Sequence, residues 1–327
     1  MKKALFAVVA VLFLVLSLGS AFAADKIVLR VGHTIAPDSH YQKGLEHFAS
    51  LLKEKSGGQI EMQIFHSSQL GSERDVIEGV SMGTIEMTLV SSAPLANFTS
   101  SFLVFDLPFI IVNREKAYAW MDGPQGRKIL DTLTPKNIIG LGIWENGFRM
   151  LTNSQKPVVA PEDMKGLKIR LMENPIHVGT FKTLGAYPTP MPFGELFTAL
   201  QQKIVDGQEN PLVIIYTSKF FEVQKHLALT GHFYAPAILL VNRDFWEKKL
   251  SDDQRKIFQE CELASRKWER QYCIDMEKTL VNDLKAKGME VSTPDKAKWA
   301  EAVQPVYKEF EGKIGKEIIQ DLINAQK

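Results

Sequence analysis

The stretch Ile27-Val28-Leu29-Arg30-Val31-Gly32-His33 reads as a β-strand, because Ile27, Leu29 and Val31 alternate with Val28 and Arg30 until Gly32 ends the run. Tyr41, Leu45, Phe48, Ala49 and Leu52 then recur at helical spacing, and Gly57-Gly58 stops that helix. Ile60, Met62 and Ile64 alternate again. Ser72 with Asp75 can cap a helix running to Gly83, and a strand through Ile85, Met87 and Leu89 follows. Strand, helix, strand, helix, strand predicts an α/β lobe around a largely parallel sheet.

A similar rhythm returns later. Residues 168–171 are strand-like, a helical stretch ends near Gly185, and a helix from about Gly194 to Gln202 leads into Ile204-Val205-Asp206. The segments Glu73 to Met87 and Glu195 to Gln208 share one order: glutamate, amphipathic helix, short strand with an acid. That order fits two related lobes, and fits ordinary βαβ grammar equally well. Ile238 to Val241 forms a further apolar strand, and Ser251 with Gln254 makes a capping box for a helix that can run to about Lys287. No glycine or proline interrupts it before Gly288, so it is long enough to bridge two lobes. The chain has no Pro/Gly/Ser-rich linker, so two lobes would be joined by several crossings rather than one hinge.

The N-terminus predicts export. Lys2 and Lys3 precede an almost wholly apolar run from Ala4 to Leu18, and Ala21-Phe22-Ala23 has the small-x-small form of a cleavage site. Cleavage of residues 1–23 as a signal peptide would remove both lysines and move the formal charge from +1 to −1. A near-neutral surface argues against nucleic acid as a partner and against attachment to anionic lipid. Cys261 and Cys273 lie twelve residues apart in the long predicted helix, about 18 Å along its axis and too far for a disulfide. No Cys/His cluster suggests a metal site, and none is expected.

Three segments carry the chemistry: Gly147-Phe148-Arg149, Leu167-Lys168-Ile169-Arg170 and Asp206-Gly207-Gln208-Glu209-Asn210-Pro211. Each arginine sits beside a strand-like run. A buried guanidinium is costly unless an anion meets it, so two of them near an amide suggest a carboxylate site. Arginine's planar fork holds both carboxylate oxygens, which lysine cannot do. Pro211 pushes Asn210 toward an extended conformation at a strand end, where its amide can donate to a carboxylate. Phe193 reads either as a cleft wall or as core. His33 ends the first strand, placed to face a cleft or to cap. Glu73 accepts from a ligand hydroxyl or ammonium, or stabilises a helix N-terminus.

The chain resembles the DctP-type solute receptors of tripartite ATP-independent periplasmic (TRAP) transporters over essentially its whole length beyond the signal peptide. The resemblance rests on Met164-Lys165-Gly166-Leu167-Lys168-Ile169-Arg170, on the run from Gly185 through Pro190-Met191-Pro192-Phe193-Gly194-Glu195, and on 206–211. Leu70-Gly71-Ser72-Glu73-Arg74, Phe105-Asp106-Leu107-Pro108-Phe109 and Val223-Gln224-Lys225-His226-Leu227 support it in order and spacing. The resemblance implies a two-lobed periplasmic-binding-protein fold of α/β class, with a ligand cleft between lobes and a long helix spanning both. The expected division is 24–147 plus 235–275 for one lobe and 148–234 plus 276–327 for the other. It also implies that Arg170 is the principal carboxylate ligand, that Arg149 is the second arginine, that Asn210 completes the carboxylate pocket, and that Phe193 packs on the ligand.

Ser91, Ser92, Leu95 and Ala96 occupy the loop where sialic-acid receptors place larger polar groups, and Trp144, Phe148 and Met172 lie close to the arginines. The expectation is therefore a smaller or more apolar carboxylate: a C4-dicarboxylate, a 2-oxo acid or an aromatic acid. Ser91, Ser92, Trp144 and Met172 join the ligand-binding candidates. The expected protein is a periplasmic receptor, monomer or homodimer, that hands its organic acid to small and large TRAP membrane subunits. No cofactor and no catalysis are expected. The rivals are a receptor that presents its ligand to a membrane sensor and an exported enzyme, for which Arg170 with Glu209, or His33 with Glu73, would be the pairs to cast. The chain holds no His-Glu-x-x-His helix, and its one Gly-x-Ser-x-Gly match, Gly79-Val80-Ser81-Met82-Gly83, ends the predicted helix that begins at Ser72 and does not turn from a strand into a helix as a nucleophile elbow does.

Overall fold

The computed structural model describes residues 26–327, so the predicted signal peptide and cleavage site lie outside the described residues. Among the described residues, nine strands form one sheet: β1 Ile27–Gly32, β2 Ile60–Phe65, β3 Met87–Ser91, β4 Ile138–Asn153, β5 Lys168–Leu171, β6 Tyr187–Pro190, β7 Gly207–Pro211, β8 His226–Asn242 and β9 Glu290–Ser292. Their order is β2-β1-β3-β8-β4-β7-β5-β6, with β9 beside β8. β1 is parallel to β2 and β3, and β5 is parallel to β6 and β7. The centre departs from the largely parallel sheet expected, because β3–β8, β8–β4 and β4–β7 are antiparallel.

The two outer trios are built alike. A middle strand is flanked by two parallel neighbours, and a helix (Glu73–Met82 or Phe193–Gln201) feeds the strand next to the centre. A short helix follows each of those strands, Ser92–Leu95 after β3 and Leu212–Thr217 after β7. The shared order of 73–87 and 195–208 is thus a true structural repeat. The predicted strand at 204–206 is the turn before β7, which itself begins at Gly207.

β4 and β8, of 16 and 17 residues, cross from one lobe to the other as neighbouring strands. Along β8, Leu239 and Val241 enter one hydrophobic core while Ile238 and Leu240 enter a second. Alternation sends successive side chains to opposite faces, so each core lies on one face of the sheet and runs beneath both lobes. The pairing shifts register between Glu145 and Gly147, opposite Pro236 and Ala235. Gly147 has φ +126°, a conformation open to glycine and strained for other residues.

The long helix spans Asp252–Ala286, 35 residues or about 52 Å, and Ser251 caps it through a reciprocal box with Gln254. It packs along the helix His40–Lys55 and along β4. Gly44 sets that contact: a Cβ there would lie 2.6 Å from the Trp144 ring and 2.7 Å from Glu269 Cγ. Cys261 and Cys273 are buried in this helix as free thiols. No helix of the described residues is long and apolar enough to cross a membrane.

Candidate ligand-binding cleft

The C-terminal ends of β3, β5 and β7 meet at the centre of the sheet, where an α/β topology presents ligand groups. A narrow cavity there is lined by Tyr41, Glu73, Asn146, Arg149, Arg170 and Asn210, among others. Its outer part is bordered by Ser72, Arg74, Glu173 and Phe193.

Arg149 stands on β4 opposite Pro211 of β7 and is completely buried. Its Nε donates to Glu209 Oε2, while Nη2 lies 2.9 Å from Glu209 Oε1, 2.6 Å from the Glu209 carbonyl and 3.1 Å from Asn210 Oδ1. The guanidinium holds the Glu209 carboxyl well below the usual carboxylate range despite burial. His232 Nε2 lies 3.3 Å from Glu209 Oε2, and its Nδ1 is 2.7 Å from Thr230 Oγ1. Arg149 therefore carries its own counter-ion.

Arg170 does not. It sits near the end of β5, 1 % exposed, and its Nε and Nη2 donate to the Met191 carbonyl at 3.0 and 2.8 Å. Its guanidinium centre is 5.8 Å from the Phe193 ring centroid. Burial, with repulsion from Arg149, pushes its pKa down to about 10, an expensive state for a guanidinium. The Nη1 atoms of both arginines are buried without a hydrogen-bond partner, and both residues line the same cavity. Two unmet donors of like charge on one cavity are groups that an anion would satisfy.

Glu73 Oε1 accepts from the Ser91 backbone N–H at 2.7 Å, and burial raises its carboxyl pKa. Ser91 Oγ accepts from Asn146 Nδ2 at 3.4 Å, and Met172 lines both parts of the cavity. Arg170, Arg149, Asn210, Phe193, Glu73, Ser91 and Met172 are thus brought together. The amide of Asn210 is differently employed from the expectation: Nδ2 donates to Gln208 Oε1 at 2.5 Å while Oδ1 receives Arg149.

Three candidates lie elsewhere. His33 is turned inward, with Nε2 2.8 Å from Gln42 Oε1 and Nδ1 accepting from Ile35 N–H, and burial holds its pKa down to about 4. Trp144 fills the space that Gly44 leaves open and donates its indole N–H to Glu262 of the long helix at 2.9 Å, so it belongs to the core. Ser92 opens the short helix Ser92–Leu95, fully buried and outside the cavity lining; Leu95 is core. Proximity to an arginine in sequence does not say which face of a strand a residue takes.

Sequence reasoning missed Tyr41 and Asn146. Tyr41 OH and Asn146 Oδ1 are buried without partners in the lining. The Asn146-Gly147 pair, a turn signal just before Phe148-Arg149, was the available clue for the second. Tyr41 read as one more apolar helix position. Glu209 pairs with Arg149 rather than with Arg170, a neutralisation invisible in one dimension.

A family model described as bacterial extracellular solute-binding protein, family 7 (DctP) matches residues 31–313. Three solved structures of TRAP periplasmic or sugar-acid-binding proteins resemble the chain. One from Polaromonas sp. JS666, bound to D-erythronate, is 41 % identical with a TM-score of 0.89, covering 91 % of this chain and 98 % of its own. A sugar acid binding protein from Advenella mimigardefordensis, in complex with galactonate, is 38 % identical with a TM-score of 0.90, covering 92 % and 98 %. One from Sulfurospirillum deleyianum, with bound succinate, is 29 % identical with a TM-score of 0.88, covering 93 % and 100 %.

Proposed function

The chain belongs to bacterial extracellular solute-binding protein family 7, the DctP family of TRAP solute receptors, and we propose that it captures a small organic acid in the periplasm and delivers it to TRAP membrane subunits. The observation that carries the ligand chemistry is the pair of buried, unpartnered Nη1 atoms of Arg149 and Arg170 on one cavity. One carboxylate would satisfy both, with Arg170 gaining the counter-ion it lacks. Charge-assisted hydrogen bonds of this kind contribute about 1.5–3 kcal/mol each, so a few support micromolar affinity.

Capture would proceed by closure of the lobes 24–147 plus 235–275 and 148–234 plus 276–327. The register shift at Glu145–Gly147, opposite Ala235 and Pro236, is the proposed hinge, because a bulge bends a strand pair without breaking it. Release of the chain into the periplasm would follow cleavage of residues 1–23.

The test is a thermal-shift series on the protein lacking residues 1–23, unfolded and refolded to strip carried ligand, against organic acids. A ligand of the native state at a hundredfold excess over its Kd stabilises by about 2.7 kcal/mol. A shift with a carboxylate, absent in Arg170→Ala, supports the reading; no shift with any carboxylate overturns it.

A further inference from the structure

The charges within the cleft nearly cancel before any ligand arrives. Arg149 is bound on two edges by Glu209, which is itself fully buried and backed by His232. Glu73 lines both parts of the cavity, the same space that holds Arg170. At the mouth, Arg74 is 63 % exposed and paired with Glu78, and Glu173 borders the same opening. One guanidinium, Arg170, is therefore left without a carboxylate partner in the cleft, which matches one anionic group on the ligand.

The remaining polar atoms ask for hydroxyls. Tyr41 OH and Asn146 Oδ1 are buried in the lining with no partner, and Glu73 offers a carboxyl edge beyond the oxygen held by Ser91. Asn146 Oδ1 can only accept, and a buried acceptor without a donor costs about 1–3 kcal/mol. A ligand hydroxyl donates to such an atom and accepts from Tyr41. A second carboxylate has no hydrogen to give and would meet Glu73 and Asn146 oxygen to oxygen.

We propose that the cleft selects a short hydroxylated monocarboxylate and rejects the matching dicarboxylate, because Glu209 has already neutralised Arg149 while Glu73 and Asn146 present acceptors where a second carboxylate would lie. This rests on the receptor reading above. It narrows the carboxylates left open by the sequence and removes the C4-dicarboxylate from them. It also replaces the apolar cleft expected from Ser92 and Leu95, which do not line the cavity. The relatives that bind D-erythronate and galactonate, both hydroxylated monocarboxylates, are more similar to the chain than the succinate-bound one.

The experiment is calorimetric titration of the refolded protein with two matched pairs that differ only in a terminal CH2OH or carboxylate: D-erythronate against meso-tartrate, and D-galactonate against galactarate. At pH 7.5 the better monocarboxylate should bind at least about thirtyfold more tightly than either dicarboxylate, about 2 kcal/mol. In Glu73→Gln, which removes the repelling charge, that ratio should shrink at least threefold (about 0.7 kcal/mol). A dicarboxylate binding as tightly as its partner, with the binding lost in Arg170→Ala, overturns the selectivity and leaves the receptor reading standing. No binding of either class overturns both.

Discussion

Arg149 and Glu209 face each other from β4 and β7, wholly buried, joined through Nε to Oε2 and through Nη2 to Oε1 at 2.9 Å. The pair decides how much charge the cleft can offer and also ties two strands at the sheet centre. Removing one partner leaves the other charge buried and unmatched, which costs about 3–5 kcal/mol. Glu209→Gln should therefore lower the Tm sharply in a calorimetric scan. Combining it with Arg149→Met should recover part of that loss; a double variant less stable than the single one would contradict this account.

Arg170 holds only a backbone carbonyl within the protein. Arg170→Ala should weaken ligand binding at least about tenfold, roughly 1.4 kcal/mol, with the fold retained by circular dichroism. Phe193→Ala removes the half-buried ring 5.8 Å from the guanidinium and should weaken binding more mildly, about two- to fivefold, in line with about 0.5–1 kcal/mol for such a contact.

Trp144 provides the opposite control. Trp144→Phe loses the indole bond to Glu262 and should cost about 1–3 kcal/mol in denaturant unfolding. The Kd should stay within about twofold, because the indole does not line the cavity. A large loss of affinity with unchanged stability would return Trp144 to the ligand site.

Acid should destabilise the protein earlier than its carboxylates alone would suggest. Burial lowers the pKa of His33 to about 4 and of His40 to about 3, and neither ring nitrogen of His40 has a hydrogen-bond partner. The unfolded chain takes up these protons near pH 6.5 while the folded one does not, so stability is full above that pH and declines as pH falls toward 4. Each histidine contributes about 1.4 kcal/mol per pH unit in that window. Glu209, whose pKa is depressed, adds a loss only below about pH 4.3. Tm measured from pH 8 to 5 should fall below 6.5, and His40→Phe should flatten the decline; an unchanged slope would contradict the assignment.

The outer trios of strands, the long helix and its Ser251–Gln254 cap were legible in the sequence, because periodicity and capping are local. Arg149, Arg170 and Asn210 were legible as well, since buried arginines beside strands and an Asn-Pro at a strand end leave a chemical trace. The antiparallel centre was not, because alternation marks a strand without recording the direction of its neighbours, which are set by segments far away in sequence. The facing of Trp144 and His33 was not legible either. Each was settled by a distant partner, Glu262 for one and Gln42 for the other.

The sequence by itself determined an α/β chain with a site for a carboxylate, because hydrophobic period, caps and the energetics of burying arginine all act within a few residues. Tertiary structure alone decided how that site is charged. Glu209 meets Arg149 sixty residues away, and Arg170 is left without a carboxylate partner, because antiparallel pairing of β4 with β7 brings the first two together on one side of the cleft.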